Sequence, residues 1–189
     1  MALSDIALCS RALIRIGAAP ITSFADGTAE SEIAGALYDT VRDALLSAYA
    51  WSFASGQIAL SQIVTAPVAD YDYAYGLPND FLRALSAGSG SRGRGLNYRI
   101  AAGALHTNAP DVILSYVFRP DEASFPPYFD QALIARLSAE FTIPVTENTS
   151  RSEAMFALAE REFQRARQID AQQDTPSAIE AFPLVDVRD

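Results

Sequence analysis

The chain has 189 residues, half of them hydrophobic and a fifth charged, which predicts a globular protein of one domain with a substantial core rather than a disordered chain. The net charge is −9, and all fourteen basic residues are arginine. That balance argues against a protein that wraps nucleic acid, since basic side chains carry the affinity for phosphates. It suits a surface past which DNA slides without being held. Cys9 is the sole cysteine, so an intrachain disulfide is excluded, and its place on an apolar helical face predicts a buried thiol. No basic stretch leads into an apolar leader, and no apolar run approaches the ~18 residues of a membrane span. The expectation is a soluble protein made in the cytoplasm.

In chain order, "LSDIALCSRALIRIGAAP" predicts a first helix over about 3–17. Ser4 is its N-cap, Ile6, Cys9, Leu13 and Ile16 form its apolar stripe, and Gly17 and Pro20 end it. "ITSFADGTAE" is a loop that turns at Asp26-Gly27. The second helix, about 29–50, carries Ile33, Leu37, Val41, Leu45 and Ala48 on one side. Glu32, Asp39, Arg42 and Asp43 fall largely outside that stripe. Tyr49, Trp51 and Phe53 then predict an aromatic plug that seats the helix end on the core.

The period changes over about 55–119, where "QIALSQIV", "YDYAYGLP", "DFLRALSA", "LNYRIAAGALHTN" and "DVILSYVF" predict a small, mostly antiparallel sheet. Tyr71, Tyr73 and Tyr75 share one strand face, and Gly103 divides two short strands. The third helix, about 126–143, starts at Pro126-Pro127, turns Phe129, Leu133, Leu137 and Phe141 to one face and stops at Pro144. The fourth, about 150–172, has Met155, Leu158 and Ile169 on one side and Glu162 and Arg165 spaced to pair on the other. From Gln173 the helical period fails. The tail nevertheless keeps Ile179, Phe182, Leu184, Val185 and Val187, more apolar residues than a solvated tail carries, and this favours docking on a partner over folding back on its own domain. The order predicts a mainly α fold: a four-helix bundle with a small antiparallel sheet inserted between its second and third helices (residues 1–172), followed by an extended docking tail (173–189).

Catalytic constellations are sparse. His106 is the only histidine, so the common zinc sites cannot be assembled in one chain, and a Ser-His-Asp triad would have to use it. The carboxylate pairs Asp70/Asp72 and Glu30/Glu32 lie in exposed-looking stretches. Without lysine there is no phosphate-binding P-loop. The sequence "GSGSRGRG" (88–95) spells Gly88-x-Gly90-x-x-Gly93, but no helix opens inside it and no acidic ribose partner follows. The expectation is a mobile hairpin tip and no cofactor, with Arg92 and Arg94 as contacts for a tail protein or for DNA in a channel.

The succession "ALIRIGAAPITSF", "LLSAYAWSFA", "YAYGLPNDFLRAL", "ALHTN…VILSYVFRP", "FPPYFDQALIARLSAEFTIPVT" and "ALAEREFQRARQID", from residue 3 to about 172, resembles the tail tubular protein A family, the gatekeeper-like head-to-tail adaptors of tailed bacteriophages. The resemblance implies a structural, non-enzymatic virion protein at the neck between capsid and tail. Identical subunits would form a twelve-fold ring under the portal protein, extend the DNA channel and carry tail or stopper proteins. No catalytic, cofactor or metal residue is implied. Ile179, Phe182, Leu184, Val185 and Val187 become contacts for the portal or a neighbouring subunit. A neck stopper or tail-completion protein of the same particle is the alternative; a small hydrolase using His106 is the outlying one.

Overall fold

The computed structural model describes residues 3–65 and 67–173. Within them, four helices and two small antiparallel sheets make a mixed α/β fold. Helix α1 (Asp5–Arg15) starts where the Ser4 hydroxyl accepts the Ala7 N–H, and it buries Leu8, Cys9, Ala12 and Leu13. It closes at Gly17, whose φ of 78° is open to glycine at little cost. Helix α2 (Ala29–Ala48) opens on a reciprocal capping box between Thr28 and Ser31. Its buried stripe is rotated from the expected one, to Ala34, Tyr38, Val41, Arg42, Leu45 and Leu46, while Ala48 is exposed. Arg42 goes inside because three carboxylates neutralise it, which apolar periodicity cannot report.

Helix α3 (Pro127–Thr146) is buried on nearly all sides, through Phe129, Ala132, Leu133, Ile134, Ala135, Leu137, Ser138, Ala139 and Phe141. It touches each of the other three helices, α4 (Thr149–Asp170) most extensively. Pro144 does not end α3. Its missing N–H costs one bond in the last turn, and the helix continues to Thr146, where Glu147 at φ 52° donates its N–H to Ile143 O. The threonine hydroxyls of Thr142 and Thr146 hold the same turns by bonding carbonyls four residues back. In α4 the buried positions are Ser152, Ala159, Ala166 and Asp170, not the expected side of Met155, Leu158 and Ile169. Small side chains let α4 approach Ala135 and Ala139 closely, and Met155 and Phe156 pack at the flank. Glu162 and Arg165 form no ion pair among the described residues.

Seven strands lie between α2 and α3 in the chain: β1 (Ser55–Ala59), β2 (Gln62–Ile63), β3 (Tyr73–Gly76), β4 (Phe81–Gly88), β5 (Arg99–Ala101), β6 (Ala104–Thr107) and β7 (Ile113–Phe118). They form two sheets, β1-β7-β4 and β2-β3-β6-β5, where one was expected. The chain passes between sheets after β1, β3, β4 and β6, and Tyr75, Leu105, Val112, Leu114 and Tyr116 form the core that the sheets share. Only a paired arrangement covers the apolar sides of both sheets. Tyr75 is buried and Tyr73 packs beside it, whereas Tyr71 precedes the strand. Strands β5 and β6 turn through Ala102 (φ 50°) and Gly103 (φ 73°), the two positive dihedrals of a tight hairpin.

Trp51 sits among the aromatic side chains of the core that the helices share. Its ring, fully buried, meets Tyr49, Phe129 and Phe163 edge-on at centroid distances of 5.0, 5.1 and 5.8 Å, and its N–H donates to Leu45 O at 3.1 Å. Val117 of β7 enters the same cluster from the sheet side.

Candidate functional site

The Gly-rich stretch is the connection from β4 to the second sheet, and it folds back over the first. Gln57 on β1, Ser115 on β7 and Ser86 on β4 lie side by side in register, so their side chains form a polar row across one sheet face. The Gly93 carbonyl sits on that row. It accepts Ser86 Oγ at 2.7 Å and Ser115 Oγ at 3.2 Å, and Ser115 Oγ accepts Gln57 Nε2 at 3.1 Å. The Gly90 N–H donates to Asp111 Oδ2, the Leu96 N–H returns to Ala87 O at 2.9 Å, and the Asn97 carbonyl accepts Thr107 Oγ1 at 2.8 Å.

This corrects the expected mobile hairpin tip. The backbone is pinned at both ends and in the middle, because the serine hydroxyls of the sheet supply donors that its Gly/Ser composition does not reveal. Close approach requires glycine at 88, where a Cβ would collide with the Arg92 carbonyl oxygen; a Cβ on Gly93 would lie 2.5 Å from Gln57 Nε2, the end of a side chain that would have to shift. Gly88 therefore serves packing and Gly90 a backbone φ of 65°, and β4 runs antiparallel to its neighbour with no helix following, so a dinucleotide cradle is not formed. Arg92 and Arg94 project outward from either side of Gly93. Both are exposed, and neither pairs with a described carboxylate. With Gln57, Ser86, Gly93, Gly95 and Ser115 they line an open groove of about 840 Å³.

A charge network ties the helices to the sheets. The Arg42 guanidinium reaches Asp39, Asp43 and Glu122 at 3.0, 3.0 and 3.1 Å, and Arg119, just after β7, holds the same Asp43 carboxylate in a two-pronged pair. Burial alone would raise the Asp43 carboxyl; the Arg119 and Arg42 guanidinia outweigh it and hold it below the usual range. Tyr38 donates to Glu122 at 3.1 Å, and burial, with that carboxylate second, pushes its hydroxyl far up. Asp170, at the end of α4, accepts Ser52 N–H, Ser52 Oγ and Tyr128 OH at 3.0, 2.7 and 2.7 Å, capping the single turn Ser52–Ala54 beside Trp51. These groups lie 42 to 118 residues apart in the chain, and their spacing carried no local signal.

Other singled-out residues stay separate. His106, in the middle of the second sheet, faces Tyr71 at 6.5 Å between ring centroids and makes no hydrogen bond through its side chain to a described residue. Among the described residues no serine–histidine–carboxylate chain is assembled around it. Among the described residues there is no cluster of three metal-ligating side chains and no helix long and apolar enough to cross a membrane. Ile179, Phe182, Leu184, Val185 and Val187 lie outside the described residues. The chain matches no protein-family model and no curated protein.

Proposed function

We propose that this chain is a structural head-to-tail connector of a tailed phage or phage-like particle, forming a ring under the portal that extends the DNA channel and gives the tail its platform. The observation that supports the reading is where the adaptor-like segments fall. "LLSAYAWSFA" is the end of α2 with its Trp51 plug, and "YAYGLPNDFLRAL" is the β3–β4 unit. "VILSYVFRP" is β7 with Arg119, and the last two segments are α3 and α4. Four of the six segments that carry the resemblance also carry a structural joint: the plug, the charge network or the α3–α4 contact. In this reading the four helices are one bundle centred on α3, with the β unit inserted between the second and third helices.

A closed ring of identical copies needs head-to-tail contacts that a rotation brings back on themselves. The net charge of −9 would discourage DNA from sticking to the channel wall. The apolar tail supplies the docking contacts for the portal or the next subunit, with Phe182 as the anchor and Ile179, Leu184, Val185 and Val187 as further contacts. Native mass spectrometry and negative-stain imaging of the full chain, alone and with portal, test the proposal. A closed ring is expected. A chain that stays monomeric and never binds portal at high concentration overturns it. Deleting residues 173–189 should leave the domain folded and weaken assembly; unchanged portal affinity would refute the tail's role.

A further inference from the structure

We infer that the groove beneath the 88–95 loop is an anion site for the phosphate backbone of nucleic acid, with Arg92 and Arg94 as its contacting side chains. Charge is segregated along this chain. Between Asp80 and Asp111 there is no acidic residue, yet this span holds four arginines, Arg83, Arg92, Arg94 and Arg99, in a molecule of net charge −9. Arg42, Arg119 and Arg136 are committed to carboxylates, whereas Arg92 and Arg94 are exposed and pair with none among the described residues. The two flanking acids already accept hydrogen bonds, Asp80 from the Tyr116 hydroxyl at 3.3 Å and Asp111 from the Gly90 N–H.

The backbone between the two arginines is fixed on the sheet through Gly93, so their stems rise from a set position and less ordering remains to be done on binding. The lining selects the kind of partner. Protein interfaces centre on buried aromatic or aliphatic anchors, and no aromatic or aliphatic residue lines this groove: its polar groups are guanidinium, amide, hydroxyl and backbone, set among the arginine and glutamine stems and glycine carbons. That is the set of groups that contacts phosphates without reading bases. Two cations on an otherwise acidic chain make a weak, salt-sensitive and sequence-independent contact, one that touches DNA and lets it move. The phosphate chemistry stands on the groove itself; the choice of duplex DNA as its source rests on the connector reading.

The test is fluorescence anisotropy of a labelled duplex of about 20 base pairs with the full chain, over a salt series from about 20 mM upward. Arg92→Ser/Arg94→Ser should weaken binding about tenfold or more at the lowest salt. It should also reduce the slope of log affinity against log salt by about 2, one unit for each phosphate that an arginine no longer neutralises. Arg161→Ser/Arg165→Ser, exposed on α4, should leave both unchanged. No duplex binding by the parent chain at the lowest salt, or a slope indifferent to Arg92 and Arg94, overturns the site. A polyglutamate peptide that outcompetes the duplex through the same two arginines also overturns it, in favour of an acidic protein partner. Rings on portal with an unchanged slope remove this site and leave the connector. Binding through these arginines by a chain that never assembles removes the connector and leaves the site.

Discussion

Replacing Gly88 by alanine puts a methyl group where the folded-back loop already lies. The added Cβ would collide with the Arg92 carbonyl oxygen and stand 2.5 Å from Arg94 N, where ordinary contact begins near 3.4 Å. Both obstacles are backbone, so neither can swing aside as a side chain would. The loop must lift by about an ångström or more, and the bonds that hold it lengthen together: Ser86 Oγ and Ser115 Oγ to Gly93 O, and Leu96 N–H to Ala87 O. At about 1 kcal/mol each, the loss is about 2–3 kcal/mol. For a domain of this size that lowers the melting temperature by roughly 5–10 °C. Gly95→Ala is the comparison. Nothing lies within 4 Å of its Cβ, but φ is 94°, so only backbone strain of about 1 kcal/mol applies. Calorimetry or circular dichroism melts read both, and amide exchange over 88–96 localises the effect. A Gly88→Ala protein that melts within about 1 °C of the parent would refute the pinned loop.

Asp130, buried at the start of α3 with one carboxylate oxygen unpartnered, is pushed up to about 6 by burial, against the opposing pull of Arg11. The folded chain therefore holds this proton more tightly than the unfolded one. The stabilisation is complete below about pH 4 and is lost as pH rises through about 6. Asp130→Asn should gain roughly 1–2 kcal/mol on the parent as pH rises across that window, read from urea midpoints; a pH-independent difference would contradict this. Asp170→Ala strips the acceptor from Ser52 and Tyr128 and should cost about 3 kcal/mol, with a shift in the emission of the adjacent Trp51; a neutral result would mean the cap is not formed in solution. Cys9 is buried, and burial first, the Asp5 carboxylate second, raise its thiol to about 12. A disulfide reagent at pH 8 should react about a hundredfold or more slowly with the folded chain than with the unfolded one, and equal rates would place the thiol at the surface.

What was legible in the sequence was local. Ser4 and Gly17 mark the ends of the first helix because capping and positive-φ geometry are satisfied within a few residues. The β5–β6 hairpin follows from Gly103 for the same reason, and the aromatic triplet Tyr49, Trp51 and Phe53 announced the plug by its composition alone. Apolar period also placed Phe129, Leu133, Leu137 and Phe141 on the core.

Tertiary structure decided every question whose answer lay on another element. Arg42 is inside because Glu122 waits 80 residues away, and Asp170 caps a turn 118 residues before it. Helix α4 buries its small residues rather than its large ones because α3 presents alanines to it. The loop at 88–95 has the composition of a flexible linker, and composition measures only the entropy that such a segment can lose. Whether it loses that entropy depends on partners, and here Ser86, Ser115 and Asp111 supply them. Charge and the run of arginines were properties of the sequence by itself. Their presentation from a fixed backbone, on one sheet face, required the fold.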